Sequence, residues 1–123
     1  MPYSYDDQNI FAKILRGEIP NKTVLETEHS LAFHDIQPQA PVHVLVIPKG
    51  PYVCYDHFAQ QASDAEILDY TRAIGEVCRL SGVEEGGFRL ISNAGEAGVQ
   101  EVPHLHVHIL AGRPLGRMLQ KAD

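Results

Sequence analysis

The chain has 123 residues with a formal net charge of −6, and 44% of its residues are hydrophobic while 21% are charged. This length predicts a single domain, and no apolar run approaches the roughly 18 residues that a membrane helix needs. The acidic balance argues against a nucleic-acid polymer as partner, because that affinity depends on basic side chains that neutralise phosphates. The first residues lack the basic and apolar regions of a secretory signal, so we expect a cytoplasmic protein.

The first half of the chain predicts a short helix and three strands. An aspartate pair precedes an apolar pattern at residues 10–15, which Gly17 and Pro20 close, as in a short amphipathic helix. The segments KTVLETE and SLAFHDI follow each other across a tight polar connection and predict a hairpin. In PVHVLVIPK the apolar residues run almost unbroken from Val42 to Ile47, which is typical of a central strand covered on both faces.

The second half predicts a long helix and two strands. After the loop GPYVCYDHFAQQ, Ser63 and Glu66 form a capping box ahead of residues spaced for one helical face, and Gly82 ends the helix. GFRLISN predicts a strand, and a glycine-containing loop leads to the final strand, PHLHVHIL. Most connections are too short for parallel crossovers. The predicted fold class is therefore α+β, with a mainly antiparallel sheet of about five strands, one short helix and one long helix.

Three histidines alternate with apolar residues in the last strand, at His104, His106 and His108. Alternate side chains on a strand share a face, so the three imidazoles lie opposite the apolar residues between them. A single histidine at such a place is more often an ordinary residue than part of a site. Three in strict alternation indicate a site, and they leave two kinds of chemistry open.

A metal site is the first kind. Alternate strand residues lie roughly 6.6 Å apart and the outer two about 13 Å, whereas zinc holds each nitrogen at about 2.0–2.1 Å. All three histidines therefore cannot easily converge on one ion, although two could do so with a third ligand such as His43. Cys54 and Cys78 do not form a C-x-x-C pair and are expected to be reduced packing residues.

Nucleophilic attack on phosphorus is the second kind of chemistry. Near neutral pH an imidazole is both a competent nucleophile and a proton carrier. In a row of three, the central ring can attack while its neighbours bind oxygens, hold its tautomer or supply a proton. Backbone N–H groups of the upstream loop NAGEAGVQ can stabilise the phosphate oxygens, so this chemistry requires no metal and no cofactor.

The run His104-Leu-His106-Val-His108-Ile-Leu resembles the signature of the histidine triad (HIT) superfamily. The segments NIFAKILRGEIP, LAFHDIQPQAPVHVLVIPK, RLISNAGEAGVQ and AGRPLG are similar to its HINT branch, the purine nucleoside phosphoramidases. The resemblance extends from about residue 8 to residue 118. It implies a single HIT domain across residues 1–123 with short terminal tails, a HIT-like fold, a purine nucleotide substrate and a homodimer in which the long helix and an edge strand meet their symmetry mates.

The same resemblance implies a role for each matching residue. His106 attacks the α-phosphorus and forms a nucleotidyl-histidine that water hydrolyses, while His104 and His108 orient the nucleophile and contact phosphate. His43 is the fourth histidine of the site, and Asp35 accepts hydrogen bonds from the ribose hydroxyls, although a turn role competes for it. Six residues match the base pocket, with core packing as an alternative for the apolar ones: Ile10, Phe11, Ile14, Phe33, His34 and Ile36. Two residues match the phosphate and leaving-group side, Asn93 and Gln100.

Three positions depart from the HINT pattern. Glu101 stands where the best-known members carry a hydroxyl residue that helps the leaving group, and we expect it to favour positively charged amines. Val99 stands where relatives often have glycine. If that position needs a positive φ, valine is strained, so we expect the loop to differ locally. Pro103 replaces a common aromatic residue and lacks an N–H at the entry of the strand.

The activity that the resemblance implies is hydrolysis of the P–N bond of AMP- or GMP-amine conjugates. A third histidine favours hydrolysis over the transferase branch, which has glutamine at that position. Dinucleoside polyphosphate hydrolysis is the nearer alternative, although the AGRPLG tail argues mildly against it. A nucleotide-binding interaction module with incidental catalysis is an alternative of a different class, and a zinc protein is the last one.

Overall fold

The computed structural model describes residues 3–120, which form a five-stranded sheet and three helices. In chain order the elements are α1 (Ile10–Leu15), β1 (Thr23–Glu26), β2 (Ser30–His34), β3 (Val42–Pro48), α2 (Tyr55–Gln61), α3 (Asp64–Leu80), β4 (Phe88–Ile91) and β5 (Val107–Ala111). The strands follow the order β1-β2-β3-β5-β4, and every neighbouring pair is antiparallel. The predicted α+β class with its antiparallel sheet is confirmed.

Strand β3 lies at the centre of the sheet, as its unbroken apolar run predicts. Val44 and Val46 pack into the core cluster that contains α3, whereas Leu45 and Ile47 pack into the cluster around α1. Both faces of the strand are therefore covered, which explains why its sequence shows no polar alternation. Because side chains alternate along a strand, His43 lies on the α1 face with Leu45 and Ile47.

Local signals set the ends of the two predicted helices. At the start of α3 the Ser63 side chain accepts the Glu66 N–H, and the Glu66 side chain accepts the Ser63 N–H, so the predicted capping box is confirmed. After the helix, Gly82 has a φ of 67°, as expected for the residue that follows a helix end. Helix α1 is capped by Asn9, whose side chain accepts the Ala12 N–H at 2.9 Å.

The helix α2 lies in the segment that the sequence pattern leaves as a loop, so the expected pair of helices becomes three. It has seven residues, and its N-cap, Cys54, makes no side-chain capping bond. Phe58, which is 1% exposed, holds it against the core cluster that contains α3. So short a helix is stabilised by tertiary packing, and its sequence carries little local signal.

The histidine segment is the second difference from the predicted elements. Only Val107–Ala111 forms β5, so His104 and His106 precede the strand. The backbone there bonds elsewhere, with Leu105 N–H donating to the Tyr52 carbonyl at 2.8 Å. Pro103 has no N–H to offer a sheet partner, which fits a strand that starts later than predicted.

Cys54 and Cys78 are free and buried, as expected for packing residues. Within residues 3–120, none of the helices combines the length and the apolar character that crossing a membrane would require.

Candidate active site

His104 is fully buried, and both of its ring nitrogens are bonded to protein atoms. Its Nε2 lies 2.8 Å from the Pro48 carbonyl oxygen and its Nδ1 lies 2.6 Å from the Tyr5 hydroxyl. A carbonyl can only accept, so Nε2 carries the hydrogen and the Tyr5 hydroxyl donates to Nδ1. Burial lowers the pKa of His104 to about 4, which keeps the ring neutral. While these bonds stand, neither nitrogen is available to a phosphate.

Among the described residues, His106 has one ring nitrogen whose lone pair makes no hydrogen bond. Its Nδ1 lies 2.7 Å from the carbonyl oxygen of His104, so Nδ1 must be the protonated nitrogen of the neutral ring. Burial lowers the pKa of His106 below the ordinary 6.5 and favours that neutral form. The Phe11 ring packs edge-on against the imidazole with a centroid distance of 5.0 Å. The remaining nitrogen, Nε2, therefore has the lone pair that a nucleophile needs.

His43 and His108 form a hydrogen-bonded pair in which the tautomer of His43 determines the tautomer of His108. The Gln39 backbone N–H donates to His43 Nδ1 at 3.1 Å, so Nε2 carries the hydrogen of the neutral His43 ring. That Nε2 lies 2.9 Å from His108 Nδ1 and donates to it, which leaves His108 with its hydrogen on Nε2. Burial lowers the pKa of His108 to about 4 and also lowers that of His43.

The His106 and His108 rings are neighbours with complementary functions. Their centroids are 5.0 Å apart and the ring planes meet at 66°. One ring offers an unprotonated Nε2 and the other offers an N–H donor. This combination suits attack on an electrophile whose oxygen atoms gain negative charge.

The sequence leaves Asp35 either a turn role or a role in the site, and the structure shows contacts of both kinds. Its Oδ1 accepts the Gln37 backbone N–H at 2.8 Å, which is a turn interaction. Its Oδ2 lies 3.4 Å from His43 Nε2, so the same carboxylate also belongs to the histidine group. The negative charge of Asp35 raises the pKa of His43 against the larger, lowering effect of burial.

The residues of the expected base pocket divide into a buried and an exposed set. Phe11, Ile14 and Phe33 are at most 9% exposed and belong to the core cluster around α1, where the Phe11 and Phe33 rings meet edge-on at 5.5 Å. The exposed set comprises Ile10, His34 and Ile36. Ile36 is 87% exposed, so core packing does not account for an isoleucine there. For the buried set, packing and a pocket floor are compatible roles.

Gln100 braces the loop that precedes the triad. Its Nε2 donates to the Val53 carbonyl at 2.6 Å and to the Val102 carbonyl at 3.0 Å, and its Oε1 accepts the Gly95 N–H. The amide nitrogen has thus used both hydrogens within the protein. Asn93, at the end of β4, is half-buried. Of the two residues expected on the phosphate side, Asn93 has the less committed side chain.

Val99 adopts the left-handed conformation with a φ of 55°, which is the case in which the sequence predicts a strained valine. A β-branched residue in this region costs on the order of 1–3 kcal/mol. The loop is held by tight neighbours, since a Cβ added at Gly98 would lie 2.4 Å from the Ala94 carbonyl oxygen. The compact turn therefore keeps its shape and Val99 bears the strain.

Glu101 is exposed just before the triad and acts on it through its charge. Its carboxylate is one of the two groups whose negative charge opposes the burial effect on His106 and raises the pKa of that ring; Asp35 is the other. Glu101 is therefore close enough to influence a group that reacts at His106.

The HIT domain profile matches residues 16–115 of the chain. The chain belongs to the HIT family. It is 61% identical over 121 residues to an uncharacterised HIT-like protein of Azospirillum brasilense, which covers 98% of this chain and 99% of that protein. It is 41% identical over 113 residues to the purine nucleoside phosphoramidase of Escherichia coli strain K12, and the match covers 92% of this chain and 94% of that protein.

A solved structure agrees with this assignment. The HIT family hydrolase from Clostridium thermocellum matches with a TM-score of 0.80 and 36% identity, covering 93% of this chain and 99% of that one. The predicted HIT resemblance is confirmed.

One group in this HIT domain has the spacing of a metal site. One ligand atom from each of Asp35, His43 and His108 lies within 4.8 Å of the others. The two imidazole nitrogens, however, are 2.9 Å apart and share a hydrogen bond, whereas two nitrogens of a tetrahedral zinc site lie about 3.3 Å apart. A metal would have to replace that bond. Within residues 3–120, His104 and His106 do not belong to this group.

Four described residues that bond to the site histidines were not predicted from the sequence: Tyr5, Gln39, Pro48 and Ser92. The Ser92 hydroxyl donates to the His106 carbonyl at 3.0 Å. Gln39 contributes its backbone N–H and Pro48 its carbonyl, groups that differ little from one residue type to the next, except that proline has no N–H. Tyr5 lies 99 positions from its partner. No local pattern marks such contacts.

Proposed function

We propose that this HIT protein is a purine nucleoside phosphoramidase that hydrolyses the P–N bond of AMP- or GMP-amine conjugates. The observation that carries the proposal is the pair of tautomers in which His106 has a free Nε2 and His108 has a free N–H beside it. The name of the Escherichia coli relative, which is 41% identical, supports the P–N substrate.

The proposed reaction has two displacements at the same phosphorus. His106 Nε2 bonds to the α-phosphorus while the P–N bond breaks, and the amine leaves with a proton taken from water. The hydroxide left from that water then attacks the nucleotidyl-histidine, which releases the nucleoside monophosphate and the neutral imidazole. His108 Nε2–H donates to a non-bridging oxygen, and the His104 carbonyl stabilises the positive charge that the His106 ring gains.

The substrate's nucleoside is proposed to bind on the Asp35 side of His106. The Asp35 carboxylate accepts the ribose hydroxyls, which an acceptor with two oxygens suits. The exposed set of Ile10, His34 and Ile36 covers the base above a floor of buried aromatic and aliphatic side chains. Asn93 contributes from the phosphate side.

Turnover of two substrates tests the proposed function. The purified protein is incubated with an adenosine phosphoramidate and with a diadenosine polyphosphate, each with and without EDTA, and AMP affinity is measured by calorimetry. We expect cleavage of the phosphoramidate that does not depend on EDTA. Preferred cleavage of the polyphosphate would reassign the substrate, and loss of turnover in EDTA would contradict the metal-free mechanism. AMP binding without turnover of either substrate would favour a binding module.

Replacing Glu101 by serine is expected to lower the preference for positively charged leaving amines. The carboxylate attracts a cationic amine, and near the exposed surface such a pair contributes about 0.2–1 kcal/mol, or roughly a one-and-a-half- to fivefold change in relative kcat/KM. The measurement compares a charged and a neutral amine conjugate of AMP. Glu96→Ser, an exposed glutamate of the same loop, is the matched control. An unchanged ratio in Glu101→Ser would refute this role.

The pH dependence of the proposed hydrolysis follows from the pKa of His106. Only the neutral ring can attack, and burial lowers the pKa of His106 below 6.5, so the ring stays neutral in more acidic solution than free imidazole does. The acid limb of kcat/KM, recorded from about pH 4 to about pH 8, should therefore lie below pH 6.5. Glu101→Ser removes a charge that raises this pKa and should move the limb further to acid. A limb at or above the ordinary value would contradict the proposed environment.

We further propose a homodimer of single HIT domains with a core of about residues 8–118 in the cytoplasm. The edge strand β4 leaves Phe88 and Leu90 44% and 47% exposed, and α3 leaves Leu68 57% exposed, which supports a partner surface there. Two buried free thiols suit a reducing compartment. Sedimentation equilibrium measures the mass, and a monomer at micromolar concentration would contradict the dimer.

A further inference from the structure

The segment before α1 is tied to the rest of the protein by its side chains. The Tyr3 hydroxyl donates to Asp56 at 2.5 Å, and the Tyr3 ring stacks on His57 with a centroid distance of 5.1 Å. Two residues further on, the Tyr5 hydroxyl reaches His104. The segment therefore connects α2 with the triad before α1 begins, although residues 3–8 belong to neither a helix nor a strand.

The bond between Tyr5 and His104 has a defined direction. Because His104 Nε2–H donates to the Pro48 carbonyl, Nδ1 of the neutral ring is an acceptor and the phenol must donate. Burial raises the pKa of Tyr5, so the phenol keeps its proton at neutral pH. The two rings also meet edge-on with centroids 5.6 Å apart. Tyr5 supplies the only bond to Nδ1 among the described residues.

The His104 residue in turn holds the nucleophile. Its carbonyl accepts the Nδ1–H of His106, and it is this bond that leaves Nε2 of His106 unprotonated. Because β5 starts at Val107, no sheet ladder fixes the His104 carbonyl. On one side the next N–H, of Leu105, is fixed to the Tyr52 carbonyl at 2.8 Å. On the other side the His104 ring is fixed by its two hydrogen bonds.

We propose that Tyr5 is a positioning residue that acts through His104 to keep His106 in its attacking tautomer and orientation. This role rests on the proposed function insofar as His106 is the nucleophile. Tyr5 does not touch the substrate in this arrangement. Its hydroxyl completes the pair of bonds that prevents the His104 ring from turning, and the His104 carbonyl transmits that constraint to the reacting ring.

The kinetic test compares Tyr5→Phe with Tyr3→Phe. Phenylalanine keeps the ring against His104 and removes one hydroxyl, whereas the control removes a hydroxyl of the same segment that bonds to Asp56. Loss of a single hydrogen bond that matters only for orientation should lower kcat about two- to tenfold with KM unchanged. Tyr3→Phe should retain the kcat of the natural chain. An equal loss in both variants would reduce Tyr5 to general support of the segment and overturn the proposal.

A spectroscopic test requires no substrate. Long-range ¹H–¹⁵N spectra at neutral pH identify which nitrogen of each histidine carries the hydrogen. In Tyr5→Phe the Nδ1 signal of His104 should move to that of an unbonded acceptor, and the His106 signals should move from one tautomer toward a mixture. Unchanged His106 signals would overturn the proposal. If the natural chain cleaves no phosphoramidate, the proposed function fails, yet this spectrum still decides whether Tyr5 controls His106.

Discussion

Replacing His106 by alanine is expected to lower kcat for an adenosine phosphoramidate by a factor on the order of 10⁴ or more. The variant lacks the nitrogen that bonds to phosphorus, and removal of a nucleophile that acts within a group of residues has effects of this size. AMP affinity should change little, since the proposed nucleoside contacts lie at Asp35 and the exposed pocket residues. Stopped reactions and calorimetry measure the two quantities separately.

The same experiment includes a direct search for the covalent intermediate. Acid-quenched samples of the natural chain should carry the nucleoside monophosphate on His106, and peptide mass spectrometry locates it. His29→Ala is the control, because His29 is a partly exposed histidine outside the triad. If His106→Ala keeps turnover within tenfold of the natural chain, another group attacks phosphorus and the proposed mechanism is wrong.

Replacing His108 by alanine is expected to have the second largest effect, a loss in kcat of about 10²–10³. The variant removes the N–H that donates to a phosphate oxygen as negative charge develops there, and single donors of this kind contribute that much. It also removes the acceptor of the His43 Nε2–H, which keeps only Asp35 Oδ2 at 3.4 Å, and loss of that hydrogen bond costs about 0.5–1.5 kcal/mol of stability. Steady-state kinetics and urea unfolding measure the two effects.

The companion variant His108→Gln distinguishes the donor role from packing. Glutamine retains N–H groups of comparable reach, so kcat should recover part of the loss seen in His108→Ala. Both variants fill the position with an uncharged side chain, which leaves the charge of the site unchanged at neutral pH. If His108→Ala raises KM and leaves kcat unaltered, the ring contributes to ground-state binding and not to the transition state.

The fold was predictable wherever one short stretch of sequence contains the reason for its structure. The apolar run of β3 identifies a strand covered on both faces, and the Ser63 and Glu66 capping box marks the start of α3. Helix α2 was not predictable, because its stability comes from Phe58 in a core assembled by distant elements. The late start of β5 depends likewise on where neighbouring backbone groups find partners.

The residues of the site could be predicted from the sequence more fully than the hydrogen bonds between them. The alternation of histidines indicates a site, and the HIT resemblance adds His43 and Asp35, which the structure brings within hydrogen-bond or ion-pair distance of one another or of His108. The tautomers were not predictable. They follow from the Pro48 and His104 carbonyls and the Gln39 N–H, and such backbone groups carry no signature in a sequence.

Two residues show how the packing of a loop constrains its side chains and backbone. Gln100 matches a position on the phosphate side, yet its amide is bonded to the Val53 and Val102 carbonyls. Val99 adopts a positive φ although valine disfavours it. In both cases the close packing of residues 93–102 outweighs the preference of a single side chain.

Strands β3 and β5 are neighbours in the interior of the sheet, and this position affects how often the site opens and which substitutions it tolerates. Interior strands open only when the whole domain unfolds, whereas an exposed loop opens by itself and far more often. Amide hydrogen exchange should thus be slowest in β3 and β5 and faster across residues 95–101, where the bonds from Val99 to Glu96 and from Gln100 to Gly95 join residues of the same loop. His43 and His108 are therefore protected from local opening, whereas the leaving-group loop can change by substitution without opening these two strands.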